Sequence, residues 1–153
     1  MRRLAARFAI TALITVSFIS CAATGPYFTP TEQAPGMSLI YIFRAVNFAG
    51  SLVADHIYVD GNKLVELYNG GYAFTTVPPG EHVIATRRLT TPFFPKKEIA
   101  IRLLAEPGKT YYVRVGTALT SFTPLYMEIT RRIELMNEQT GLPELSTMRL
   151  QQQ

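Results

Sequence analysis

Between Met37 and Ile133 the chain is cut into short apolar runs by tight-turn signals, and this punctuation restricts it to a β fold. Asp60-Gly61, Asn69-Gly70-Gly71 and Pro78-Pro79-Gly80 follow one another closely, and Glu106-Pro107-Gly108-Lys109 forms a fourth corner. An Asp-Gly pair between apolar runs is favoured because a two-residue hairpin needs positive φ at both central positions. Runs this short are too brief for ordinary helices and suit strands.

The runs themselves agree. Met37 to Ala45 is apolar on both faces, as expected for a strand in the middle of a sheet. Asp55 to Tyr58 and Lys63 to Tyr68 flank the Asp-Gly turn, Tyr72 to Val77 follows Gly71, and Glu81 to Leu89 follows Gly80. Farther along, Ile99, Ile101 and Leu103 alternate with Glu98, Ala100 and Arg102. Tyr111, Val113 and Val115 oppose Tyr112 and Arg114, and Leu125, Met127 and Ile129 oppose Tyr126, Glu128 and Thr130. Such period-two patterning marks strands with one face turned inward. The reading is an all-β protein: an antiparallel, immunoglobulin-like sandwich of about seven or eight strands over residues 37–133. Beyond it, Leu135, Met136, Leu142, Leu145 and Met148 fall at loosely helical spacing broken by Gly141 and Pro143. Residues 134–153 are therefore expected to form a short helical segment on a sheet edge.

The start of the chain differs in kind. Arg2, Arg3 and Arg7 precede an apolar run from Phe8 to Phe18, followed by Ser20 and the single cysteine, Cys21. A run of about twelve residues falls short of the roughly twenty that span hydrocarbon. Basic flank, short apolar stretch and small residues together describe a secretory signal peptide over residues 1–20. Phe18-Ile19-Ser20-Cys21 resembles the lipobox of bacterial lipoproteins, with Phe18 where a branched aliphatic residue is usual. The resemblance implies cleavage before Cys21 and attachment of several acyl chains, palmitate among them. Two or more chains hold a protein stably at a bilayer, whereas one binds marginally. Plain signal cleavage near Ala22 or Ala23, leaving a soluble periplasmic protein, is the alternative. Because Ala22 rather than aspartate follows the cysteine, the resemblance implies the periplasmic face of the outer membrane, with inner-membrane retention as the alternative.

Charge supports no nucleic-acid partner. The net charge of +4 and pI near 9.4 look basic. Removing residues 1–20 takes away Arg2, Arg3 and Arg7 and no acid, so 15 Lys/Arg become twelve against 11 Asp/Glu. The processed chain is close to neutral. With one cysteine it has no intramolecular disulfide. From Ala22 to Gly36 the composition shifts to Gly25, Pro26, Pro30, Pro35 and Gly36 among Thr, Glu and Gln. Residues 21–36 thus read as a flexible tether that reaches about 45 Å at roughly 3.1 Å per residue, less if Tyr27 and Phe28 touch the domain.

No arrangement of reactive groups points to catalysis. Ser38, Ser51, Ser121 and Ser146 lack a nucleophile-elbow context. Ser51, Asp55 and His56 are close in sequence, but adjacent strand residues face opposite ways, so Asp55 is badly placed to orient His56. His56 and His82 show no metal-ligand spacing. Gly61, Gly70 and Gly71 belong to hairpins rather than a phosphate loop. The chain is read as a non-enzyme that needs no metal and no cofactor. As a partner-contact surface it offers Phe93, Phe94, Lys96 and Lys97 in a Pro-bounded loop, where the plainer reading is a loop covering one end of the sandwich. The Asn47-Phe48-Ala49-Gly50 loop is a second candidate.

Two corners carry a family resemblance. Ile57 to Lys63 around Val59-Asp60-Gly61, and Val77-Pro78-Pro79-Gly80-Glu81-His82, resemble the PEGA-type repeat. With Ile40-Tyr41-Ile42-Phe43-Arg44 and Gly108-Lys109-Thr110-Tyr111-Tyr112-Val113-Arg114, residues 37–145 resemble short Gram-negative lipoproteins with an uncharacterised domain of unknown function. These motifs are turns and core strands, so the resemblance implies a fold and no catalytic residues. The expected function is a non-enzymatic, lipid-anchored envelope module. It would contact the membrane through Cys21 and an unidentified envelope protein or cell-wall component. The alternative is a peptidoglycan or other glycan-binding module, which the lack of Trp disfavours.

Overall fold

The computed structural model describes residues 22–47, 51, 53–87, 98–123 and 126–151, with the backbone alone over 118–123 and 126–129. Its strands are β1 (Ser38–Arg44), β2 (Asp55–Val59), β3 (Asn62–Leu67), β4 (Gly71–Val77), β5 (Gly80–Arg87), β6 (Ile99–Ala105), β7 (Thr110–Thr123), β8 (Tyr126–Met136) and β9 (Arg149–Leu150). One helix, α1 (Glu138–Leu145), precedes β9. The strands form two sheets, β8-β7-β1-β4-β9 and β3-β2-β5-β6, in a sandwich-like arrangement.

Turn chemistry sets much of this. Val59 pairs with Asn62 across Asp60 (φ 50°) and Gly61 (φ 81°), two successive positive φ values that suit an Asp-Gly hairpin. Hairpins make β2–β3, β5–β6 and β7–β8 antiparallel. The chain also crosses between the sheets four times before β7, and β7 meets β1 in parallel, Leu39↔Thr110 to Arg44↔Val115. β9 likewise joins β4 in parallel. The antiparallel expectation therefore describes the smaller sheet fully, while the larger sheet is mixed. Parallel neighbours need a crossover, which short-range turn signals do not encode.

β1 is buried along its whole length because it has strands on both sides and a layer on both faces. Its inward residues Ile40 and Ile42 join Ile57, Leu67, Ile84, Leu103, Val113 and Val115 in the core between the sheets. Its outward residues Leu39, Tyr41 and Phe43 join Tyr72, Tyr112, Leu145 and Met148 in a second core on the far side of the larger sheet.

That second core changes the expectation for both ends of the domain. Residues 22–36, the described part of the stretch 21–36 expected as a flexible tether, run along the outer face of the larger sheet and are pinned there. Ala23 N–H donates to Asn69 O at 3.3 Å, Phe28 N–H to Met148 O at 3.0 Å, and Thr31 N–H to the Tyr41 hydroxyl at 2.7 Å. Near the other end Gln33 Nε2 donates to Met37 O at 2.9 Å. The Phe28 ring meets Tyr41 and Tyr72 edge-on at 5.2 and 5.4 Å, and Arg149 covers the Tyr27 ring at 4.0 Å. The Pro/Gly composition fits a strap whose hydrogen bonds go to a neighbour instead of to itself.

The tail also departs in detail. β8 continues to Met136, and α1 starts only at Glu138, capped by Asn137, whose side chain accepts from Thr140 N–H at 2.9 Å. The helix lies on the sheet face, not on an edge. Gly141 sits so close to Tyr112 that a Cβ there would approach Tyr112 Cβ to 2.8 Å. The edge beside β4 is taken by β9.

Candidate functional site

The two ends of the sandwich are unlike. At one end stand the tight turns: Asp60-Gly61, Pro78-Pro79-Gly80 and the Pro107-Gly108 corner. At the other, β1 finishes at Arg44, β2 begins at Asp55, β5 finishes at Arg87 and β6 begins at Ile99. The longer connections leave from this second end, the Arg44 end, and it is there that the strap begins.

Beneath it lies a buried charge cluster. Arg44 and Asp55 are each 1% exposed, and Arg44 Nη1 lies 3.2 Å from Asp55 Oδ2. Arg131 of β8 approaches the other carboxylate oxygen at 3.2 Å and donates to Thr86 Oγ1 at 2.8 Å. Arg44 also donates to the carbonyls of Val53 at 2.5 Å and Leu67 at 3.3 Å. Strand periodicity brings these groups together: Arg44 follows Ile40 and Ile42 on the inward face of β1, and Asp55 precedes Ile57 on β2. Asp55 is held between two guanidiniums and serves to position the elements that carry them. The cluster ties β1, β2, β5 and β8 at this end.

At the same end Asn47 links two segments of chain. Its N–H donates to Asn69 Oδ1 at 3.0 Å and its Nδ2 to Thr117 O at 2.8 Å. A groove of about 160 Å³ opens beside it, lined by Asn47, Arg114, Thr117, Arg132 and Glu134 among others. Arg114 there hydrogen-bonds Glu134 and lies 3.2 Å from Glu144 Oε2, which holds its pKa above the ordinary arginine value.

At the opposite end His82 joins two turns. Its Nδ1 lies 2.6 Å from Asp60 Oδ2 and its Nε2 2.8 Å from Pro78 O. Asp60 Oδ1 accepts from Val83 N–H at 2.9 Å. Both ring nitrogens face acceptors, an arrangement satisfied best when both carry protons. Correspondingly, the hydrogen bond that His82 donates to Asp60 raises the pKa of His82 and lowers that of Asp60.

Of the residues singled out in the sequence, Cys21 and the loop residues Phe93, Phe94, Lys96 and Lys97 lie outside the described residues. Phe48, Ala49 and Gly50 do too. Asp55 and His56 diverge as strand geometry requires: Asp55 turns inward to Arg44, whereas His56 lies 3.7 Å from Glu66. Among the described residues no three of His, Cys, Asp and Glu converge on a possible metal position, and no helix is long and apolar enough to cross a membrane. What the sequence reading missed is the Arg44–Asp55–Arg131 cluster. Its one local sign was an arginine closing a strand otherwise apolar on both faces.

Residues 34–124, most of the chain and all of β1 to β7, match the family described as "Protein of unknown function (DUF2846)", and the protein belongs to that family. β8, α1 and β9 lie beyond the matched residues. No curated protein and no solved structure matches the chain.

Proposed function

We propose that this DUF2846 protein is a non-enzymatic lipoprotein of the bacterial cell envelope, anchored through acyl chains on Cys21 and acting as an accessory or protein-interaction module on the periplasmic face of the outer membrane. The observation that carries the proposal is the order Arg2-Arg3, Arg7, the apolar run Phe8 to Phe18, Ser20 and Cys21, which a signal peptide with a lipidation site accounts for residue by residue. Kinship with PEGA-type repeats is part of the same reading. In its support, the Asp60-Gly61 turn and the Pro78-Pro79-Gly80 corner are stitched together by the Asp60–His82 pair.

The pinned strap alters the geometry of such an anchor. With Ala23 bonded to Asn69, there is no spacer of tens of ångströms between Cys21 and the domain. The module would ride at the bilayer surface, and its partners would be envelope proteins met at close range.

The test is mass spectrometry of the N-terminal peptide after expression of the full chain in a Gram-negative host. The expected result is a mature chain beginning at acylated Cys21, and a Cys21→Ala variant released from the outer-membrane fraction. An unmodified Cys21, or equal membrane retention of Cys21→Ala, would overturn the proposal.

A further inference from the structure

The strap is the outermost piece of its sheet edge. Beyond β4 comes β9, and beyond β9 comes the strap, which meets that two-residue strand through the Tyr27↔Arg149 bridge. Leu150 N–H donates to Pro26 O at 2.8 Å, Arg149 Nη1 donates to Gly25 O at 3.1 Å, and Phe28 N–H donates back to Met148 O. Within residues 22–32 only Ala23 is buried; Gly25, Phe28 and Thr31 are half-buried and the others exposed. Segments with few buried apolar groups and solvent-exposed backbone bonds open at low free energy, ahead of the core.

What lies beneath the strap has its own support. β9 is bonded to β4 directly, Arg149 N–H to Gly70 O at 2.9 Å and Gln151 N–H to Tyr72 O at 2.7 Å. Among the described residues, the core between the sheets takes nothing from 22–36. On the outer face Leu145 and Met148 belong to the second core independently of the strap, whose one ring there is Phe28, edge-on to Tyr41 and Tyr72. The rings that Phe28 covers are tyrosines, and water solvates a tyrosine hydroxyl that loses its partner.

The two ends of the strap are held differently. Toward Ala22 the fit is strict, because a Cβ on Gly25 would lie 2.0 Å from Leu150 O. Toward β1, Gln33 Nε2 donates to Met37 O at 2.9 Å and to Lys109 O at 3.0 Å, and Met37 N–H closes a turn onto Ala34 O at 3.1 Å. That second fastening uses no group of residues 22–32. Undocked, these eleven residues, stiffened by Pro26 and Pro30, extend about 34 Å at roughly 3.1 Å per residue.

We infer that the strap is a latch on the reach of the domain. Docked along β9 and the tyrosines, it holds the Ala22 end against the sandwich; opened from Ala22 to Glu32, it lets the domain stand off from Cys21 by up to about 34 Å. The inference rests on lipid attachment at Cys21, which gives the latch something to hold the domain to. Opening leaves the folded sandwich intact and uncovers the rings of Tyr41 and Tyr72. An envelope partner that packs on those rings therefore favours the long-reach form, by as much as it prefers the uncovered rings.

The test uses the full chain processed in its host. In detergent, amide hydrogen exchange of the slow amides in 22–32 should run at least about tenfold faster than in 38–44, with a weaker dependence on urea. Gly25→Ala, which blocks docking against Leu150, should speed exchange in 22–32 by at least about another tenfold and leave 38–44 unchanged. In phosphatidylethanolamine/phosphatidylglycerol vesicles, a fluorophore at Lys109→Cys should lose at least about twofold in energy transfer to headgroup-labelled lipid when Gly25→Ala is added. If 22–32 and 38–44 exchange together, or Gly25→Ala changes neither, the strap is part of the cooperative domain and the inference falls. If the strap opens alone while energy transfer stays the same, opening does not lengthen the reach, so the inference falls and the anchor stands. If the mass of the N-terminal peptide shows Cys21 unmodified, the anchor reading falls and the inference falls with it.

Discussion

Removing the Asp55 carboxylate should be among the costliest single changes in the described domain. Asp55→Ala removes the carboxylate that lies 3.2 Å from Arg44, 1% exposed, and 3.2 Å from Arg131, while Arg44 keeps its bonds to the Val53 and Leu67 carbonyls. Arg131 is 16% exposed and regains some solvation, but Arg44 cannot without opening the end of the core. Breaking a buried pair from one side typically costs about 3–5 kcal/mol because an uncompensated charge stays inside. At about 3–5 °C per kcal/mol for a domain of this size, a loss near 4 kcal/mol lowers Tm by roughly 12–20 °C. The double change Arg44→Met/Asp55→Leu removes both charges, so it should be markedly less destabilised than Asp55→Ala alone. Urea and thermal unfolding of the detergent-purified protein, followed by far-UV circular dichroism, measures all of these, since the chain has no Trp to report. The two single changes, Arg44→Met and Asp55→Leu, should couple by more than about 1.5 kcal/mol. A loss below about 1 kcal/mol for Asp55→Ala, or simple additivity in the cycle, would refute the assignment of a mutually dependent buried cluster.

The His82–Asp60 clamp has a definite pH window. His82 is raised from 6.5, so its contribution is complete below that value and is lost as pH rises through the folded value; Asp60 is lowered from 3.8, so its contribution is complete above that value and is lost as pH falls through the folded value. The stability difference between the native protein and Asp60→Asn should therefore be largest between about pH 4 and 6.5 and shrink on either side; a difference that is flat from pH 4 to 9 would count against the clamp. Gly141→Ala should destabilise by roughly 1–3 kcal/mol despite alanine's better helix propensity, because the new Cβ meets Tyr112 Cβ at 2.8 Å; unfolding midpoints that rise instead would show that α1 shifts freely on the sheet. Tyr41→Phe should cost about 1 kcal/mol and speed proteolysis within residues 22–37, since the hydroxyl accepts from Thr31 N–H at 2.7 Å; unchanged cleavage there would mean that the strap is held without it.

Local chemistry in the sequence was enough for the strands and their turns. Asp60-Gly61 and Gly70-Gly71 stop strands because only certain residues accept positive φ, and the alternation in Ile99 to Leu103 shows which side is covered. The apolar character of Ile40 to Phe43 on both faces already required two covering layers. It did not say what supplied the second. That layer is α1, Met148 and the strap, and the strap is tied to the sheet edge by contacts between residues as far apart as Arg149 and Gly25. A Pro/Gly-rich segment has the same composition whether it floats or is pinned, because its backbone bonds go to partners remote in sequence. The same limit hid the candidate site. Asp55 and Arg131 are 76 positions apart and meet only because β2 and β8 face each other across the core.

Sequence by itself determined the β class, the turn positions and the unusual composition of residues 2–21, all of which depend on residue type and near neighbours. Tertiary structure decided the parallel pairing of β1 with β7, the buried position of Arg44 and the docking of the strap. Each of these depends on which distant surface is available to bury an apolar face or to pair a charge, a choice made only when the whole chain packs.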